Sequence, residues 1–210
     1  MREVFLIMIL FVLSSCDGQN KKNLSSDKID TLNNPLKKDT MERFNLYKYK
    51  NLPTDDMGFY KMTNGDLVQL IEKSDKHGYA ERINLNGSSL GVYKEYDMSN
   101  ILIKTGDFFY QTNVGKWKEF NEKGNLIKEI DYEKPYKFAI NDLIEKIKKE
   151  YQINLEDKSE GSAAGRTLKD GVFYYEVFLK YKTGEQKMEY LLIDGTTGKT
   201  VLKSDYHVIK

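Results

Sequence analysis

Two stretches, GVYKEYDMSNILIK from Gly91 and GKWKEFNEKGNLIK from Gly115, follow one template. Each runs glycine, variable residue, aromatic, Lys-Glu, second aromatic, polar turn, then a limb led by Leu and Ile. A weaker echo, GFYKMTNGDLVQLIE, begins at Gly58. In the first limb, two-residue alternation places Tyr93 and Glu95 on one face and Lys94 and Tyr96 on the other; Trp117 and Glu119, and Lys118 and Phe120, divide in the same way. The turn NEKGN offers Gly124 for the positive φ that a tight hairpin needs. Each copy therefore reads as a β-hairpin, and hairpins in series make an antiparallel sheet.

This block, 44–136, resembles variant MORN repeats of the antitoxin type, whose unit places glycine, tryptophan, an aromatic, a glycine turn and leucine in that order. Gly115, Trp117, Phe120, Gly124 and Leu126 carry the resemblance. At Gly91 the pattern is looser, with Tyr93 in place of tryptophan and Asn100 in place of the turn glycine. The resemblance implies a scaffold, which unrelated functions share.

After Pro135 the period changes. Ile140, Leu143, Ile144, Ile147 and Tyr151 fall at helical spacing, with Asp142 and Glu145 early and Lys146, Lys148 and Lys149 late, as the helix dipole favours. The spacing predicts a helix over 140–151. EDKSEGSAAGRTLKDG, from Glu156 to Gly171, reads as a polar, flexible loop. Three strands then follow: VFYYEVFLKYK, QKMEYLLID and TVLKSDYHVI, with turns at Thr183-Gly184-Glu185 and from Gly195 to Gly198. Phe173, Tyr175, Val177, Leu179 and Tyr181 share the face that would meet the helix. A helix followed by a three-stranded antiparallel meander, 137–210, resembles a PepSY-like module, with LLIDGTTGKTVL as its closing strand pair. The fold expected is α+β: a hairpin-repeat sheet, then a helix and a meander.

The amino-terminal end reads differently. Val4 to Leu13 is an unbroken apolar run, VFLIMILFVL, shorter than the roughly 20 residues a membrane-spanning helix needs and within the roughly 7–15 of a secretory core region. Leu13-Ser14-Ser15-Cys16 follows at once and resembles the bacterial lipobox, in which the cysteine is acylated and the chain is cut before it. Residues 1–15 are then a lipoprotein signal peptide and Cys16 the lipidation site, a palmitate-type membrane anchor. Residues 16–43 form a polar tether that would reach on the order of 30 Å. Several acyl chains anchor a protein durably, each buried methylene contributing about 0.8 kcal/mol. Asp17 resembles an inner-membrane retention signal of enterobacteria, whereas the Lys/Asn/Ile-rich style resembles that of the Bacteroidota, where that signal need not apply. The expected location is the cell envelope, with the outer membrane preferred over the inner.

Cys16 is the sole cysteine, so a lipidated chain keeps no thiol for a disulfide, a nucleophile or a metal. His77 and His207, its two histidines, stand in no metal-ligand spacing. Nucleophile-elbow, Walker and dinucleotide motifs are missing, and no cofactor or metal is expected. Glu95 and Glu119 occupy equivalent repeat positions, which repetition explains as cross-strand Lys–Glu pairing rather than as an acid–base pair. Lys+Arg 33 against Asp+Glu 32, interspersed, lacks the concentrated basic face that nucleic acid requires. With 15 tyrosines and 10 phenylalanines, aromatics not consumed by the core form a ladder suited to binding glycan or peptide, and Tyr93, Tyr96, Trp117 and Phe120 are the candidate binding residues. The function expected is non-enzymatic: an envelope lipoprotein that binds another protein as an immunity, inhibitor or assembly factor. The alternatives are glycan binding through an aromatic ladder and a purely structural envelope role.

Overall fold

The turns of the hairpins that begin at Gly91 and Gly115 are each opened by a side-chain carboxylate or amide that bonds two backbone N–H groups. Asp97 Oδ1 accepts from Ser99 and Ile101, and Asn121 Oδ1 accepts from Lys123 and Asn125. The residue three positions on takes a positive φ, 62° at Asn100 and 73° at Gly124. Asn is among the few residues with a side chain that tolerate this region, so Asn100 replaces glycine without losing the turn.

The structure is a computed structural model that describes residues 41–73, 78–180 and 187–207, with Lys187, Tyr206 and His207 described in backbone only. The signal segment, Cys16, the tether as far as Thr40, His77 and the turn at Thr183-Gly184-Glu185 lie outside the described residues. Met41–Lys210 forms one compact unit.

Seven strands run in sequence order across the first sheet: β1 (Tyr60–Lys61), β2 (Leu67–Glu72), β3 (Tyr79–Asn84), β4 (Leu90–Tyr96), β5 (Leu102–Phe109), β6 (Thr112–Phe120) and β7 (Leu126–Asp131). All neighbours are antiparallel. The sequence copies from Gly91 and Gly115 correspond to the hairpins β4–β5 and β6–β7, and the echo from Gly58 to β1–β2. A helix α1 (Ile140–Tyr151) follows, then β8 (Ala163–Lys169), β9 (Val172–Lys180), β10 (Lys187–Asp194) and β11 (Thr200–His207). These last four form a second antiparallel sheet in the order β11-β10-β9-β8. The protein is sheet-dominated, with one α-helix among the described residues.

Helix α1 spans the predicted residues. Asp142 accepts from the Ala139 N–H at 3.1 Å and closes the first turn, and Gln152 ends the helix at φ 58°, its N–H bonded to the Lys148 carbonyl. Leu143, Ile144 and Ile147 face Tyr175, Val177, Leu179, Leu191 and Ile193 of the second sheet. Phe109 and Val114, from the β5–β6 hairpin, belong to the same buried cluster, so one core draws on both sheets. A second cluster lies under the chain entry: Phe44 and Tyr49 pack with Val68, Tyr96 and Leu102.

Two expectations are corrected. Residues 41–43, placed in the tether on polarity, belong to the fold: Arg43 bridges to Ile101, and Leu102 N–H bonds to the Glu42 carbonyl at 3.0 Å. The supposed loop 156–171 contains β8, so the second sheet has four strands rather than three. Its Ala-Ala-Gly-Arg-Thr segment shows no apolar alternation, because the inward positions are Ala164 and a buried cation, Arg166. Asp170-Gly171, both with positive φ, joins β8 to β9 and is the hairpin signal that marked it.

Arg166 holds the two sheets together. Its guanidinium donates to the carbonyls of Asn113 (3.2 Å) and Tyr132 (3.0 Å) and to Glu133 Oε2 (2.7 Å), and stacks 4.2 Å from the Tyr136 ring centre. Its side chain is 7% exposed. Glu133 in turn accepts from the Gly115 N–H at 2.9 Å, where β6 bulges at φ 62°. Arg166→Ala strips these acceptors of their donor at once and should cost about 3 kcal/mol in urea unfolding, with Arg166→Lys failing to restore most of it.

Candidate functional site

The two sequence copies meet across β5. Register places Glu95 opposite Lys104 and Lys104 opposite Glu119, so equivalent positions of β4 and β6 flank one strand. One step along, Tyr93 lies opposite Gly106, which has no side chain. Trp117 fills that vacancy, its indole over Gly106 so closely that a methyl group there would collide with the ring. Tyr93 and Trp117 thereby stack across the intervening strand, with centres 5.5 Å apart and planes 20° off parallel, and Tyr132 meets Trp117 edge-on at 6.0 Å. Lys73 stands 5.9 Å from the Tyr93 ring centre and Lys104 stands 5.8 Å from that of Trp117.

A ladder of ions continues this row. Lys73 pairs with Glu95 at 3.4 Å and Lys104 and Lys128 both pair with Glu119 at 3.4 Å, while on the opposite face Lys116 pairs with Glu129 at 3.0 Å. Glu95 also accepts from the Tyr93 hydroxyl at 2.8 Å. Desolvation pushes the Glu119 carboxyl up, but Lys104 and Lys128 outweigh it and hold it below the usual range. The arrangement is Lys–Glu pairing between strands, with each carboxylate committed to its lysines.

The four aromatic candidates separate. Tyr93 and Trp117 share one face; Trp117 is 7% exposed and its indole N–H is spent on the Asp107 carbonyl at 2.8 Å. Tyr96 points to the other face, is 1% exposed and holds its hydroxyl 2.9 Å from both Glu81 and Glu42, which share its one proton. Glu81 also accepts from the Tyr49 hydroxyl, and Glu42 accepts from Lys94 at 2.6 Å. A buried carboxylate, Glu81, is thus satisfied by two phenols from different segments, one of them on the chain entry. Local alternation did not expose this network, since Glu81 stands in β3, which neither copy includes. Phe120 packs against the chain-entry cluster.

Phe120 also lines an open depression of ≈ 710 Å³ at the turn end of β4–β7. Ile103 and Ile127 supply the rest of its apolar surface, and Glu95, Glu119 and Lys104 border it. Ile127 and its neighbour Leu126 are 63% and 52% exposed. Sequence reasoning missed Ile103 and Ile127. Their signal was the doubled Leu-Ile opening each second limb, which puts one apolar residue on each face of a strand where alternation needs only one.

Among the described residues no group of three or more His, Cys, Asp or Glu is placed to hold a metal ion. No described helix is long and apolar enough to cross a membrane, which leaves β-barrels unaddressed.

Burial pushes the hydroxyls of Tyr110 and Tyr175 up to about 12, and burial with Glu81 pushes Tyr49 and Tyr96 up further. In the unfolded chain each titrates near 10, so their contribution to stability is intact below pH about 10; that of Tyr110 and Tyr175 is lost as pH rises through about 12, and that of Tyr49 and Tyr96 continues to fall above it. An alkaline titration should show one group of tyrosines ionising with β-sheet circular dichroism intact, and a later group ionising together with its loss. Complete ionisation before any loss of sheet signal would contradict this. Comparisons with protein families, with curated proteins and with solved structures found no match to this chain.

Proposed function

We propose that the protein is an envelope lipoprotein, anchored through lipid on Cys16, whose hairpin-repeat sheet binds another protein without catalysing a reaction. The anchor rests on the sequence Leu13-Ser14-Ser15-Cys16 after a short apolar run. The repeats are read as MORN-like and the carboxyl-terminal part as PepSY-like on the residues quoted above, and the outer membrane is the preferred destination. An immunity, inhibitor or assembly role is the class of activity this reading implies.

One observation carries the binding reading: the depression at the turn end of β4–β7, with Phe120, Ile103 and Ile127 inside and charged side chains around it. An apolar centre with a polar rim is the anatomy of a protein–protein contact. Glycan binding through the aromatic row is less well supported, because stacking a sugar requires an open ring face. Gly106 lies under Trp117, Tyr93 and Tyr132 stand beside it and Lys104 stands over it.

Ile127 is exposed in the free protein, so Ile127→Asp should leave thermal unfolding within about 0.5 kcal/mol of the parent. Affinity capture of the full chain from the membranes of the organism that makes it should recover a stoichiometric protein partner, lost in Ile127→Asp and retained in Lys199→Gln. Cys16→Ser should release the chain from the membrane fraction. Undiminished partner recovery with Ile127→Asp would remove the depression from the interface, and Cys16→Ser remaining membrane-bound would remove the anchor.

A further inference from the structure

Most cations on the first sheet are matched by acids, and among the described residues Lys61, Arg82 and Lys118 have no salt-bridge partner. Lys73, Lys94, Lys104, Lys116 and Lys128 each have a glutamate within salt-bridge distance. Among the described residues, Arg82 and Lys158 meet only neutral oxygens and a ring. The Arg82 guanidinium lies 3.7 Å from the centre of the Phe108 ring and donates through Nη2 to the Tyr110 carbonyl at 2.7 Å. An arginine has five N–H donors, so this leaves most of the fork uncommitted. The Lys158 ammonium donates to Asn84 Oδ1 at 3.2 Å. Asn84 stands two residues from Arg82 on β3, hence on the same face.

The two like charges come from distant parts of the chain, and backbone contacts hold them near each other. Ser89 N–H bonds to the Glu156 carbonyl at 2.8 Å, Ser88 bridges to Asp157, and Lys158 N–H bonds to the Gly87 carbonyl at 3.4 Å. Placing two cations together with no acid between them costs energy that a bound anion would recover. Partial desolvation of the ammonium end, and then the charge of Arg82, lowers the Lys158 amine from its usual value, in keeping with that proximity.

The geometry points to an oxyanion site at Arg82 and Lys158 that takes a phosphate group. Arg82 offers a planar fork stiffened by Phe108, and Lys158 offers a second point charge. Two positive charges balance a phosphate dianion, whereas a carboxylate would leave one unmatched. The phosphate could be free or esterified to a headgroup or sugar, and the site's chemistry is the same for both. This site is separate from the depression at the turn end and stands whether or not a protein binds there.

The test is calorimetric titration of the full chain, in nonionic detergent, with inorganic phosphate, glycerol 3-phosphate and acetate. The expected result is saturable phosphate binding that Arg82→Gln and Lys158→Gln each weaken at least about tenfold, as loss of a charge-assisted hydrogen bond predicts, and that Lys199→Gln leaves unchanged. Lys158 is exposed, so Lys158→Gln keeps the test valid if Arg82→Gln disturbs the packing on Phe108. Tighter binding of glycerol 3-phosphate assigns the site to esterified phosphate, and equal binding assigns it to the free anion; both sustain the proposal. No saturable phosphate binding, binding that survives both substitutions, or acetate bound as tightly as phosphate would overturn it.

Discussion

The buried guanidinium of Arg166 is the contact on which the arrangement of this protein depends. A cation removed from water is costly unless its donors are met, and here they reach two backbone carbonyls and a carboxylate contributed by the strand ends and linker of the other sheet. The carbonyls belong to Asn113 in β6 and to Tyr132 just after β7, so a strand of the second sheet fixes where the last hairpin of the first one ends. Glu133 extends the chain of contacts to the bulged Gly115, and the bulge lets β6 carry Trp117 across Gly106. Sheet-to-sheet docking and the aromatic row are therefore linked through named hydrogen bonds.

Repetition in the sequence set the strand positions but not the tasks of individual residues. Gly91 and Gly115 look equivalent in the template, yet they differ in the fold. Gly91 is extended and passes beneath the Phe108 ring, while Gly115 adopts φ 62° to make a bulge. The aromatics that follow them, Tyr93 and Trp117, do keep equivalent places, and they meet because the strand between them offers a glycine opposite. Lys104 stands between Glu95 and Glu119 in register but pairs with Glu119, while Glu95 takes Lys73 from β2's end.

Much of the architecture was legible from periodicity. Helix α1 announced itself by apolar spacing, an acidic first turn and a basic last turn, and the alternation in VFYYEVFLK placed Tyr175, Val177 and Leu179 inward, where they are buried. Strand β8 was hidden because its inward positions are Ala164 and Arg166: hydropathy cannot distinguish a buried, ion-paired arginine from a solvated one. For the same reason Tyr96 could be named from sequence as a binding residue when its hydroxyl is committed to Glu81 and Glu42, carboxylates from β3 and from the chain entry. Contacts between segments far apart in sequence leave no mark on the local pattern of either. The depression around Ile127 falls in the same class, since it is formed by two turns that each look ordinary alone.

Partner binding at the turn end of β4–β7 is the central claim, and amide hydrogen exchange on the full chain tests it most directly. The chain would be compared in its native membrane and after purification in detergent. The account predicts slower exchange in the membrane at residues 119–127, around the β6–β7 turn, with the buried strands β9 and β10 unchanged. Identical exchange at 119–127 in the two states, or protection confined to the second sheet, would contradict it.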